Sequence, residues 1–326
     1  MRIHIQNAPD DDVYRIDTEQ WQAAARRAGH DPAVHTISIG NTPEELAPGV
    51  AEADVLITMV SQIARRFPLP APALKMIFCL SAGVDKLAPF DWLPAGVELL
   101  NNRGAHGAKA GEYALMAVLM LANDLPRLIG AQQAQRWVRA PASVLAGRRL
   151  TVIGVGGLGG AAATAARHFD MHITGVRTRA EPHPACDTVV STAELDDVLP
   201  QTEFLVIACP LTAATRNLMD RRRLKLLPPG AGVVNIGRGP LLEQDALCDL
   251  LETGHLGGAV LDVFTPEPVP EGHRLWTTPN LVMTPHCSSD DPRTYNPRSL
   301  DIFFANLVAW QAGESMPNRV DPTRGY

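Results

Sequence analysis

Short runs of β-branched and aliphatic residues alternate along the chain with longer stretches whose apolar positions recur every three or four residues. In the first hundred residues the runs fall at 3–5, 34–39, 55–58 and 75–79. Strands separated by helical patterns predict a parallel sheet wrapped by helices, because a parallel connection needs a crossover of a dozen or more residues. After Asn101 the pattern changes. A helical tract runs from Gly107 to about Arg136, apolar at Tyr113, Leu115, Met116, Leu119 and Met120, with Pro126 expected to kink or break it. This tract reads as the crossing between two domains.

A second strand-helix series follows, with strand-like runs at 150–153, 171–176, 204–209, 233–236, 259–263 and 281–283. Six such strands meet the requirement of a dinucleotide-binding sheet. A last helical segment, about 293–312, lies past the sixth strand and is expected to return to the first domain. The expected boundaries are a first domain of 1–101 with 290–326, interrupted by an inserted domain of 102–289.

Composition narrows the possibilities. The 326 residues, 46% of them hydrophobic, suffice for two cores. Lys plus Arg number 29 against 35 Asp plus Glu, a formal charge of −6, which argues against a general nucleic-acid or anionic-membrane binder. An anionic substrate must therefore be drawn by local positive charge. Residues 1–12 carry one arginine and three consecutive acids, with no apolar stretch suited to a signal peptide. The longest apolar run, around 114–122, falls short of the ~20 residues of a membrane span. Cys79, Cys186, Cys209, Cys248 and Cys287 are scattered without a CxxC pair, and His106, His183, His255 and His273 lack metal-ligand spacing. Neither a disulfide framework nor a metal site is suggested, and the expected compartment is the cytoplasm.

The first chemical signal is Thr151-Val152-Ile153 followed by GVGGLG, which puts a GxGxxG turn directly after a strand and at the head of an alanine-rich helix. Gly154 allows the tight turn, Gly156 the approach of backbone to a pyrophosphate, and Gly159 the packing of helix on strand. Amides near Gly157 and Leu158 would face the phosphates. An NAD enzyme usually ends its second strand with an acid for the ribose hydroxyls; here that strand runs into Arg177-Thr178-Arg179. Asp170 comes too early, at a helix-to-strand turn where Asp tolerates a left-handed backbone. Two guanidinium groups and a hydroxyl suit a 2′-phosphate, so NADP is preferred over NAD.

Three later strand ends carry unusual groups: Asn235-Ile236-Gly237-Arg238-Gly239-Pro240, then Asp262-Val263-Phe264-Thr265-Pro266-Glu267-Pro268, and Thr284-Pro285-His286-Cys287-Ser288-Ser289. Hydride arrival at a carbonyl carbon leaves negative charge on oxygen, and histidine is the side chain suited to protonating it near neutrality. An acid beside the imidazole favours its protonated form and fixes its orientation. Arginine can fork across a carboxylate, and lysine cannot reproduce that geometry.

Together GVGGLG, Pro210-Leu211-Thr212 with Thr215, NIGRGP, DVFTPEP and the stretch from Trp276 to His286 resemble the D-isomer-specific 2-hydroxyacid dehydrogenase family over about Ser81–Ser289, of the glyoxylate/hydroxypyruvate reductase kind. The resemblance implies that Arg238 binds the substrate carboxylate and 2-oxo oxygen, that His286 is the proton donor or acceptor, and that Glu267 is its partner. It further implies α/β architecture with two Rossmann-like domains, a doubly wound cofactor domain inserted into a smaller flavodoxin-like substrate domain, a cleft between them, and a homodimer. Asp262 would meet the nicotinamide carboxamide, with Cys209, Pro210, Thr215 and Ile236 around the cofactor. Ser81-Ala82-Gly83-Val84-Asp85 is similar to the family's substrate loop, where amides around Ala82 and Gly83 would hold the carboxylate. Trp137 would either reach a partner subunit or lie in the core.

The implied reaction is hydride transfer between NAD(P)H and a small 2-oxo acid to give the D-2-hydroxy acid. Two alternatives stay open: a relative that oxidises formate or phosphite, and a cofactor-sensing binding protein of the corepressor kind. The first 60 residues and the tail carry little of the family pattern, so the substrate's side chain is open.

Overall fold

The computed structural model describes residues 1–9, 14–64, 66–67, 69–323 and 325; the acidic run at 10–12 lies outside them. The chain divides into two compact units, Met1–His106 with Asp291–Tyr326, and Gly107–Asp290.

The first unit holds β1 (Arg2–Gln6), α1 (Thr18–Arg27), β2 (Thr36–Gly40), α2 (Pro43–Ala51), β3 (Val55–Thr58), α3 (Val60–Ile63), β4 (Met76–Cys79) and β5 (Glu98–Leu100). These five strands pair with one another in parallel, in the order β2-β1-β3-β4-β5. β3 and β4 are buried at every position, as apolar runs must be where helices cover both faces of a parallel sheet. Asp17 starts α1 with a capping box, its carboxylate accepting from the Gln20 amide. β5, Glu98-Leu99-Leu100, was not among the expected strands.

The second unit begins with α4 (Gly107–Ala122) and α5 (Leu125–Gln133), and continues with β6 (Arg149–Ile153), α6 (Gly157–Arg167), β7 (His172–Arg177), β8 (Thr188–Ser191), α7 (Leu195–Val198), β9 (Phe204–Ile207), α8 (Arg221–Leu226), β10 (Gly232–Asn235), α9 (Gln244–Glu252), β11 (Gly258–Leu261) and β12 (Leu281–Met283). Its sheet has seven strands rather than the expected six, all parallel, in the order β12-β11-β10-β9-β6-β7-β8. The added strand, β8, pairs only with β7 at the sheet edge and has no fully buried position. The helix α10 (Tyr295–Gln311) belongs to the first unit, where Phe303 and Phe304 stack on Trp21 of α1 with ring centroids 5.9 and 5.0 Å apart.

The long helical tract lies wholly in the second unit, inside the stretch 102–289 expected for the inserted domain, and the passage between units falls at its start, His106–Gly107. It breaks at Asp124, whose φ of 54° is incompatible with continued right-handed helix, and α5 leaves α4 at 64°. Pro126 sits in the first turn of α5, where its missing N–H costs nothing. α4 presses on α6 so closely that a β-carbon at Gly111 would lie 3.0 Å from the Ala161 carbonyl oxygen. Among the described residues no single helix is long and apolar enough to cross a membrane.

Candidate active site

Because the strands of the second unit are all parallel, their carboxyl ends lie along one edge of the sheet. The residues singled out by sequence follow those ends: Gly154 after β6, Arg177 closing β7, Cys209 beyond β9, Ile236 after β10 and Asp262 after β11, while Thr284 leads from β12 to His286. Strand order reverses between β6 and β9, the point at which an open α/β sheet leaves a crevice for a ligand.

At that reversal Gly154 has φ 90°, and a β-carbon on it would stand 2.6 Å from Cys209 Cα, so only glycine serves. A β-carbon on Gly159 would lie 2.0 Å from the Gly154 carbonyl oxygen, which makes Gly159 the contact between helix and turn. At Gly156, by contrast, a β-carbon would meet nothing within 4 Å: it points into open space beside the start of α6. α6 opens at Gly157 and Leu158 with neither a side-chain cap nor an acid in its first turn, so its leading amides and positive dipole end stay available to an anion. A dinucleotide's pyrophosphate fits this cradle.

Arg177 follows Val176, whose carbonyl accepts the Gly154 amide at 2.7 Å. Arg177 and Arg179 both lie near Glu181, at 3.9 and 4.0 Å, an acid that the reading of Arg177-Thr178-Arg179 had not included. Asp170, at φ 53°, has the left-handed turn expected of it. Beyond β9, the Thr215 hydroxyl donates to the Pro210 carbonyl at 2.7 Å and accepts the Thr212 amide at 2.7 Å, so Thr215 folds the 210–215 loop upon itself. Burial pushes the Cys209 thiol up to about 12, which keeps it neutral.

The turn bearing Arg238 is tightly fixed. The Asn235 side chain accepts the Gly237 amide and donates to the Arg238 carbonyl, both at 3.0 Å. Ile236 is buried beside it, its amide donating to the Ile207 carbonyl. A β-carbon on Gly239 would sit 2.1 Å from the Phe264 carbonyl oxygen, so the arginine turn lies directly against the turn that bears Glu267. Arg238 Nη1 donates to the Gly237 carbonyl at 2.9 Å.

Glu267 uses its two oxygens differently. Oε1 accepts the Phe264 amide at 2.7 Å, and Oε2 lies 2.9 Å from His286 Nδ1. An ionised carboxylate only accepts, so Nδ1 must carry the proton and Nε2 is left to exchange one. The Gln244 side chain clamps the same turn through both the amide and the carbonyl of Thr265, at 2.8 and 2.7 Å. His286 itself has φ 54°, a left-handed conformation costing roughly 1–2 kcal/mol for a residue with a β-carbon. Its amide donates to the Asp262 carbonyl at 2.8 Å, and the Asp262 carboxylate receives the amides of Cys287 and Ser288 at 2.9 and 3.0 Å. Asp262 is completely buried and braces the histidine turn, a part that the sequence had not disclosed.

The sequence model described as "D-isomer specific 2-hydroxyacid dehydrogenase, NAD binding domain" matches residues 115–288. The human glyoxylate reductase/hydroxypyruvate reductase is 31% identical over 316 residues, 94% of this chain and 95% of that protein. The chain belongs to the D-isomer-specific 2-hydroxyacid dehydrogenase family. It is an NAD(P)-dependent oxidoreductase of that family. The crystal structure of a family member from Aeromonas salmonicida subsp. salmonicida A449 superposes with a TM-score of 0.82 at 29% identity, covering 98% of this chain and 99% of that one. A family member from Xanthobacter autotrophicus Py2, solved in complex with NADPH and MES, gives 0.79 at 30% identity and covers 99% of both chains.

In this 2-hydroxyacid dehydrogenase the second unit alone gathers Glu267 and His286 into one hydrogen-bonded pair, with the Arg238 turn packed on the Glu267 turn. Ala82 and Gly83 belong to the first unit, where they follow the carboxyl end of β4 and are half-buried. Trp137 is 97% exposed, which removes the reading of it as a core residue.

Proposed function

We propose that this dehydrogenase reduces a small 2-oxo acid of the glyoxylate or hydroxypyruvate class to the D-2-hydroxy acid, with NADPH preferred over NADH. The observation that carries the proposal is the Glu267–His286 pair at 2.9 Å, held at the carboxyl edge of the sheet with the Arg238 turn packed against the Glu267 turn. When bound, the reduced nicotinamide supplies the hydride. His286 then delivers the proton from Nε2 to the carbonyl oxygen, while Glu267 keeps Nδ1 protonated and the ring oriented; a positioned acid of this kind is worth about 10² to 10⁴ in rate. Arg238 holds the substrate carboxylate and the 2-oxo oxygen, each charged hydrogen bond contributing roughly 1.5–3 kcal/mol. Amides at Ala82 and Gly83 are assigned to the same carboxylate. In this reading residues 1–101 with 290–326 form the substrate domain and 102–289 the cofactor domain.

The glycine turn and the head of α6 hold the pyrophosphate, and Arg177, Thr178 and Arg179 the 2′-phosphate of NADP. The ion pairs to Glu181 are long and solvent-exposed, hence weak, so both guanidinium groups can turn to a phosphate. Two relatives support this choice of substrate and cofactor: the human protein is named a glyoxylate and hydroxypyruvate reductase, and the Xanthobacter structure contains NADPH. The five cysteines are free thiols, a state that a reducing compartment maintains, and we assign the enzyme to the cytoplasm. The exposed Trp137 and Val144 support a homodimer formed through the second unit.

Purified protein mixed with NADPH or NADH and a panel of 2-oxo acids tests the reading. Turnover of at least about 1 s⁻¹ with a lower KM for NADPH is expected. His286→Ala and Arg238→Ala should each lose about 10²-fold or more while still binding cofactor. Cofactor binding without turnover across the panel would instead identify a sensor, and oxidation of formate or phosphite would identify a different reaction.

A further inference from the structure

Asp262 and Thr284, both in the motif stretches, hold the left-handed turn of His286, and the hydrogen-bonded chain they belong to begins on another element. Tyr113, on α4, is buried, and its hydroxyl lies 2.5 Å from Thr284 Oγ1. The Thr284 hydroxyl donates at 2.6 Å to Asp262 Oδ1, and the same carboxylate receives the amides of Cys287 and Ser288 on the far side of the histidine. The direction of the chain is fixed by chemistry. A carboxylate accepts, so the Thr284 proton points to Asp262, and the Thr284 lone pair receives the Tyr113 proton. Burial pushes the Tyr113 phenol up to about 12, so that proton is retained at every working pH. The three side chains thus grip the turn at Thr284 before the histidine and at Cys287 and Ser288 after it.

We propose that Tyr113 is a positioning residue of the reductase: acting through Thr284 and Asp262, its hydroxyl fixes the turn that aims His286 Nε2, without touching substrate or cofactor. The proposal rests on the assignment of His286 as proton donor. The aromatic ring of Tyr113 fills space in the core cluster around α4, and phenylalanine fills the same space, so Tyr113→Phe removes only the hydroxyl. The chain also makes a statement about coupling. Removing one link should make the other worthless, because both act on the same turn.

The test is kinetic. In Tyr113→Phe, kcat for the 2-oxo acid should fall about tenfold, the equivalent of one hydrogen bond lost at the transition state, with cofactor affinity unchanged. The solvent deuterium isotope effect on kcat/KM should rise as proton delivery becomes slower, a change that a smaller folded fraction cannot produce. Thr284→Val should reproduce both effects, Thr284→Ser should restore wild-type behaviour, and the double variant Tyr113→Phe/Thr284→Val should be no slower than either single one. Wild-type kcat and isotope effect in Tyr113→Phe, or losses that multiply in the double variant, overturn the proposal. If the wild-type protein turns over no 2-oxo acid, it is the catalytic reading that has failed. The imidazole ¹⁵N resonances of His286 then decide the positioning claim by themselves: a shift in Tyr113→Phe supports it, and unchanged resonances overturn it.

Discussion

Of the four glycines in the six-residue phosphate turn, Gly159 and Gly156 meet opposite demands. Gly159 is forbidden a side chain by its own protein, since a β-carbon would collide with the Gly154 carbonyl oxygen. Gly156 has room for one, and what a methyl group would obstruct there is a ligand. The two positions should therefore separate stability from binding. Gly159→Ala is expected to cost about 1–3 kcal/mol in denaturant unfolding, because the backbone must move to relieve the overlap. Gly156→Ala should leave stability within about 1 kcal/mol of wild type and weaken NADPH binding at least about tenfold. Equal loss of stability in both variants would show that the space at Gly156 has no special relation to a ligand. At this scale, residue types in a known order exposed the glycines, the arginine, the acid and the histidine. Tyr113 was hidden because an aromatic residue on an apolar helix face reads as packing, and its hydroxyl acquires meaning only when Thr284 is brought to it from 171 positions away.

Apolar runs made most strands legible, including the three-residue edge strand β12 at 281–283. The inner strands β6, β9, β10 and β11 are short, apolar and bounded by the functional turns, so their existence could be read, and their ends to within one or two residues. β5 and β8, three and four residues long at sheet edges, were not read, and the break expected at Pro126 falls two residues earlier, at Asp124, whose positive φ no hydrophobic period reveals. β8 is secured partly from outside its ladder: Asp187, just before it, accepts the Ile173 amide of β7 at 2.7 Å, with Arg167 and His172 beside it. That backbone bond is the chief reason the Asp187 carboxyl is held below the usual carboxylate range. A depressed folded pKa contributes stability that is present above the unfolded value of about 3.9 and lost as pH falls through the folded one. Asp187→Asn should accordingly be less stable than wild type by roughly 0.5–1 kcal/mol at about pH 6, a modest figure because the side chain is partly exposed. Urea titrations should find the gap narrowing as pH falls below the unfolded carboxylate value of about 3.9, and a gap that persists in strong acid would assign the loss to packing instead of charge.

At the scale of the whole molecule, the second unit carries its own sheet, its own cores on both faces and the complete Glu267–His286 pair, yet it leaves Trp137 in water. A tryptophan offers roughly 150–250 Å² of surface, and a typical stable interface takes about 800 Å² from each partner, so one such side chain supplies a substantial fraction of a dimer contact. Val144, 78% exposed, and the half-exposed Leu125 and Ile129 of α5 add apolar area on the same stretch of chain. In a twofold dimer each of these residues is used twice, which doubles the return from a single patch. A side chain exposed to 97% makes almost no contacts within its own chain, so replacing it should not touch the fold. Sedimentation velocity should show wild-type protein as a dimer and Trp137→Asp shifted toward monomer, with the unfolding midpoint of the dilute, dissociated proteins unchanged between them. A monomeric wild type, or a Trp137→Asp dimer as tight as wild type, would remove Trp137 from the interface. A monomer that retains full turnover would show that the chemistry assembled at the carboxyl edge of this sheet needs no second chain.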